Sequence, residues 1–165
     1  MRQQRKRQQG LSLIEVLVAV LVLSVGLLGL AGLQAASLKN NHSAYLRSQA
    51  TILANDMADR MRANRAGFLS GAYDQPAAAQ TATCLTTAGC SAANMAAHDA
   101  WEWQQAVAAQ LPGGNAIVCR DSTLENTATP AAPACDGAGD FYAIKIWWND
   151  ERDGSTLLFD TSVRP

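Results

Sequence analysis

Three groups of side chains in this 165-residue chain have types and spacings that invite a chemical reading. They are a His98–Asp99 pair, an acidic cluster in "NDERDG" (Asp150, Glu151, Asp153), and Glu15 inside a long apolar run. The His–Asp pair has the composition of a base with its orienting acid. Adjacent helical residues point about 100° apart, so the pair is poorly placed for that work and reads as helix surface. The acids resemble a calcium loop in composition, but the spacing and terminal Glu of an EF-hand are missing, and a solvated turn is expected. There is no G-x-S-x-G, no Gly-rich phosphate loop and no H-E-x-x-H. The expectation is a protein that is not an enzyme, with no catalytic residue and no cofactor.

Four cysteines, Cys84, Cys90, Cys119 and Cys135, all follow the apolar run. An even count in a small exported domain indicates two disulfides. Three pairings are possible. Cys84–Cys90 with Cys119–Cys135 is favoured because each closes a local loop. Zinc needs thiolates in close pairs, two to four residues apart. The gaps here are five and fifteen residues, and neither His42 nor His98 has ligand spacing, so no metal is expected.

Glu15 poses a different problem. Leu11 to Leu33 is a run of 23 residues with this single charge. As a helix it would cover about 35 Å, enough to cross the roughly 30 Å hydrocarbon core. Arg2, Arg5, Lys6 and Arg7 precede it, which puts the N-terminus in the cytoplasm and the body outside. A cleaved secretory signal fits poorly, because the run is too long and no A-x-A site follows. A plain anchor leaves Glu15 unexplained, since an acid within a bilayer costs about 2.5–3.5 kcal/mol even on mild scales. If the chain is cut after Gly10, the new α-amine of Leu11 lies about one helical turn from Glu15. The carboxylate could pair with that amine in its own chain, but the amine of a neighbouring subunit is the more informative partner, since that pair would set the register between packed helices. Without the four leading cations the remainder holds 9 basic residues (13 less 4) against 14 acidic, a charge of −5. Such a body does not attract polyanions, and no nucleic-acid partner is expected.

A basic leader, Gly10, then "LSLIEVLVAV" with Glu at the fifth place resembles the class III signal of type IV prepilins. The resemblance implies cleavage between Gly10 and Leu11 by a membrane-embedded prepilin peptidase, N-methylation of Leu11 by the same enzyme, and an assembly role for Glu15. The family's usual first residue is Phe, and Leu11 is an apolar variant of it. Implied partners are the prepilin peptidase/methyltransferase, other minor pilins and the major pilin, the inner-membrane assembly platform, and membrane lipid. The implied location is the inner membrane, single-pass with a periplasmic C-terminal domain, and then the extracellular fibre.

The elements that must carry these residues follow from periodicity. No Pro interrupts Leu11 to Arg65, so the membrane helix continues outward for roughly 55 residues, with Gly67 as its stop. Leu38, Leu46, Leu53, Met57 and Met61, with Ile52 beside them, form one apolar face. Gly26, Gly29 and Gly32 either allow close helix packing or weaken the helix, the spacing mildly favouring packing. Phe68 to Ala93 reads as an irregular loop. A second helix covers Asn94 to Leu111, with Ala96, Ala100, Trp103, Val107 and Leu111 buried and "PGG" ending it. Strands are expected at Asn115–Arg120, Phe141–Trp148 and Ser155–Val163, the last two joined by a hairpin turn, with a Pro/Ala/Thr loop from Asp121 to Gly139. Trp147 and Trp148 must face opposite sides, one in the core and the other a candidate for subunit contact.

The expected fold class is α+β and pilin-like: a long N-terminal helix, its first half transmembrane, packed on a small antiparallel β-sheet. The divisions are a leader over 1–10, a transmembrane or filament-core helix over 11–33, its amphipathic continuation over 34–67, and a periplasmic globular domain over 68–165. "ANDMADRMRANRAGF", "HDAWEWQQAVAAQLPGG" and "IKIWWND" together are similar to PilV-type minor pilins, which implies help in initiating the pilus fibre, surface piliation and twitching motility. Two alternatives share parts of this pattern: a type II secretion pseudopilin, and a membrane-tethered periplasmic binding module or enzyme.

Overall fold

A computed structural model describes residues 12–124, 127–150 and 154–165. Gly10 and Leu11, and Glu151 and Asp153 of the acidic turn, lie outside the described residues. The elements in order are α1 (Leu13–Ala63), α2 (Arg65–Ser70), a single 3-10 turn (Ala82–Leu85), α3 (Ala92–Gln110), β1 (Asn115–Arg120), β2 (Tyr142–Asn149) and β3 (Thr156–Val163). By internal contacts the chain divides after Asn40 into two units. The first contains the apolar part of α1. The second, from Asn41 onward, contains everything else and has its own core. The class is α+β: a long N-terminal helix packed on a small antiparallel sheet.

In the second unit, α1 buries Leu46, Ala50, Leu53, Ala54, Met57, Ala58 and Met61, residues three and four apart that form one stripe. Three of the seven are alanines, which bring the helix backbone close to its neighbours. Two residues expected on the stripe are not there: Leu38 is 71% exposed and Ile52 56% exposed. The helix also ends earlier than expected. Gly67 does not stop it but lies buried inside α2, where an added Cβ would meet the Asn64 amide at 2.5 Å. Asn64 makes the break. Its side-chain oxygen accepts from Gly67 N–H at 3.2 Å, and its Nδ2 donates to Ala92 O at 2.8 Å. The left-handed stop falls at Gly71, with φ 87°.

α3 begins where the Ser91 side chain accepts from Asn94 N–H, and it buries the expected Ala96, Ala100, Trp103 and Val107, with Leu111 buried just past its end. Trp103 Nε1 donates to Leu53 O at 2.8 Å, tying α3 to α1. The sheet has the order β1-β2-β3, all antiparallel. Tyr142, Ile144, Ile146 and Trp148 of β2 face the helical core.

The opposite face of β2 corrects another expectation. Trp147 and Trp148 are both buried, at 2% and 1% exposure. The segment between β1 and β2 folds over the second face and covers it. Trp147 Nε1 donates to Ala128 O at 2.9 Å. Lys145, fully buried, donates from Nζ to Asp121 at 2.6 Å and to the carbonyls of Pro133 and Ala134 at 2.8 and 3.0 Å. The Cys119–Cys135 disulfide closes the same segment. The central strand is thus buried on both sides, and neither Trp projects freely into solvent.

A buried ion pair is costly to break from one side, because the remaining charge is stranded in a low dielectric. Lys145→Ala should lower the unfolding free energy by about 3–5 kcal/mol. The double variant Lys145→Met with Asp121→Leu should recover most of that loss. Urea unfolding of the full chain in detergent, followed by Trp fluorescence, measures both.

Candidate assembly site

Glu15 is placed by the start of α1. Ser12 precedes the helix, and its Oγ accepts from Glu15 N–H at 3.3 Å while its carbonyl accepts from the same N–H at 3.0 Å. Ser12-x-x-Glu15 therefore has the sequence of a capping box, with its Ser-to-backbone half formed. The motif is legible in the sequence as "SLIE". The carboxylate sits in the first helical turn, where the macrodipole favours negative charge by about 0.3–1 kcal/mol at a surface. That is well short of the roughly 2.5–3.5 kcal/mol an acid costs at the centre of a membrane-spanning helix.

The rest of this surface is apolar. Leu13, Ile14, Val16, Leu17 and Val18 begin a run of exposed aliphatic side chains that extends to Leu33. α1 contains a window long and apolar enough to cross a membrane, and none of that window is buried against the protein. Its one hydroxyl, Ser24, donates to Leu21 O at 2.8 Å and so satisfies itself within the helix. The surface is built to be covered by something apolar, with Glu15 as its single polar requirement.

In the second unit the polar groups are consumed by structure. His98 and Asp99 are buried, not on a helix surface as expected. His98 Nδ1 accepts from Thr81 N–H at 3.2 Å, holding the disulfide-bearing loop, while Asp99 accepts from Tyr73 Oη at 2.5 Å. Asn64 Nδ2 donates to the same Tyr73 oxygen at 3.2 Å. Arg60 binds Asp56 at 2.9 Å and Glu102 at 2.5 Å, and approaches Asp99 at 3.7 Å. Burial works against the Arg60 charge, but the bonds to Glu102 and Asp56 outweigh it and hold its pKa above the ordinary value. The Arg60 bond in turn holds Glu102 below the usual carboxylate range. A cleft of about 370 Å³ lies beside this network, lined by Arg60, Asn64, Met95 and Asp99. The charges lining it are already committed to neighbours.

Asp150 is likewise buried, not solvated as expected; its carboxylate accepts from Ser43 Oγ at 3.4 Å and its N–H bonds Ser155 O at 2.7 Å. Among the described residues no three His, Cys, Asp or Glu side chains come together as metal ligands. Cys84 is bonded to Cys90 and Cys119 to Cys135, so none of the four is a free thiol.

Two known families match parts of the chain. Residues 5–31 match the model of the prokaryotic N-terminal methylation motif, and residues 32–101 match that of the type IV pilin Tt1218-like family. No curated protein and no solved structure matches the chain significantly.

The network around Tyr73 carries a pH signature. Burial, then the hydrogen bond to Asp99, raises its phenol well above the ordinary value near 10. A group whose folded pKa is raised stabilises fully below its unfolded pKa and loses that contribution as pH climbs through the folded value. Stability should therefore fall as pH rises beyond about 10. Tyr73→Phe should flatten that fall, leaving the smaller share of Tyr142, which burial also pushes up. At neutral pH the same variant should cost about 1–3 kcal/mol, because Asp99 loses its donor. Chemical unfolding of both proteins across the alkaline range measures the slope.

Proposed function

The chain belongs to the type IV pilins, and from that premise we propose that it is a minor pilin that helps initiate or prime the pilus fibre, and so supports surface piliation and twitching motility. The prepilin peptidase cuts after Gly10 and methylates the amine of Leu11. The body, from its disulfides outward, lies in the periplasm before the subunit enters the fibre. Partners are other minor pilins, the major pilin and the inner-membrane assembly platform.

The observation that carries the reading is Glu15, an acid in the first turn of a helix otherwise exposed as Leu, Ile and Val. Its own helix end offsets less than half of the membrane cost by the magnitudes above. The remaining cost is met when the trimmed amino terminus of an adjacent subunit reaches the carboxylate. In the apolar interior of a helix bundle that pairing is poorly screened. Assembly then satisfies the apolar surface and the charge in one step, and a subunit out of register would strand the acid.

Glu15→Leu should insert into the membrane as well as the parent does and fail to enter fibres, read by fractionation and by immunolabelling of sheared pili. Equal incorporation would remove the basis of the reading. The mature chain should lack residues 1–10 and carry one added methyl on Leu11, read by intact mass. Retention of Met1 with activity intact would overturn the processing step. Deletion should abolish surface pili and twitching. Loss of protein export with pili intact would instead identify a pseudopilin.

A further inference from the structure

The two edges of the sheet are treated differently. In an antiparallel ladder alternate residues turn both backbone groups toward one neighbour. The observed register therefore leaves Ala116, Val118 and Arg120 of β1 facing outward. All three positions are closed. Gln104 Nε2 donates to Ala116 O at 3.1 Å, Gln75 N–H to Val118 O at 3.0 Å, and Arg120 N–H donates to Asp74 at 2.8 Å. By the same alternation Thr156, Leu158, Asp160 and Ser162 of β3 face outward. Among the described residues nothing bonds the outward backbone groups of that edge, and its one side-chain bond runs from Thr156 Oγ1 to Asn149 Oδ1 within the hairpin. An open eight-residue edge is a template for another strand, and proteins generally blunt such edges.

Two further features select the strand. A groove of about 420 Å³ runs along β3 on its disulfide-segment face, lined by Thr129, Pro130, Trp147, Leu158 and Asp160. Alternate side chains of an added strand would enter it. Asp160, half-buried at the centre of the edge, has no ion pair or hydrogen bond among the described residues. Self-pairing of β3 centred on Asp160 would bring two such carboxylates together, on a body of net charge −5 without the N-terminal cations.

We propose that the outer edge of β3 docks an extended strand from a different polypeptide, apolar at the positions that enter the groove and basic opposite Asp160. Main-chain hydrogen bonds supply the affinity, and the groove and Asp160 supply the selection. The inference goes beyond the pilin reading and does not rest on it.

The test uses the full chain in detergent micelles and a short synthetic peptide of alternating Val and Thr with a central Lys. A sister peptide carries Glu in place of Lys. Fluorescence anisotropy should show binding of the Lys peptide, and amide exchange should slow at Leu158, Asp160 and Ser162. The Glu peptide should bind at least about tenfold more weakly. Leu158→Pro removes one outward N–H and leaves the β2 ladder intact, so it should weaken binding by a similar factor. Asp160→Lys keeps the backbone donor and should reverse the preference between peptides. Absence of Lys-peptide binding to the parent chain would overturn the proposal. So would equal affinity for both peptides, no reversal in Asp160→Lys, or sedimentation showing that the chain dimerises through β3. No fibre is present in the assay, so such failure would leave the pilin reading standing.

Discussion

Glu15 holds one negative charge in a helical surface that otherwise offers water nothing to bind. A carboxylate in that setting needs a cation or strong donors, and the helix start supplies only part of what is needed. The aliphatic surface around it is equally unsatisfied, since none of the apolar window is buried. The first unit therefore has a sequence whose energetics close only in company, with lipid before assembly and with other helices after it. This is the physical content behind the match to a methylation motif over residues 5–31 and to a pilin family over residues 32–101.

The second unit solves the opposite problem, that of closing a small core of its own. Its central strand is covered on both faces, by α1 and α3 on one and by the disulfide-closed segment on the other. A segment rich in Ala, Thr and Pro has little apolar surface with which to hold itself down. Lys145 holds it instead, spending all three of its donors on Asp121 and two carbonyls. On the other side the Arg60, Asp99 and Tyr73 network ties α1, α3 and the loop between them. The groups that look reactive in sequence, His98, Asp99 and Asp150, are likewise engaged with neighbouring loops and helices. The sheet edges continue the pattern, with β1 sealed by three side-chain or loop contacts and β3 left open.

The strands and α3 were legible within one or two residues because their signals are local: β-branched runs, an apolar helical stripe, and a Pro-Gly stop. Both disulfides were legible from spacing, since each closes a short loop. The break at Asn64 was missed because Gly67 offered the stronger local stop signal. What decides the position is a tertiary contact, the Asn64 amide reaching Ala92 O on the far side of a loop.

The sequence by itself determined the class of protein and its most consequential feature, an acid placed just inside an apolar helix, five residues after Gly10. Those are matters of composition and order along one element, which need no partner to be read. Tertiary structure alone decided which polar residues are hidden. His98, Asp99, Asp150 and the second Trp of the 147–148 pair all look exposed in a one-dimensional reading, because each helix face and strand face is judged without knowing what covers it. The cover comes from loops, and a loop's resting place depends on long-range hydrogen bonds that periodicity does not encode.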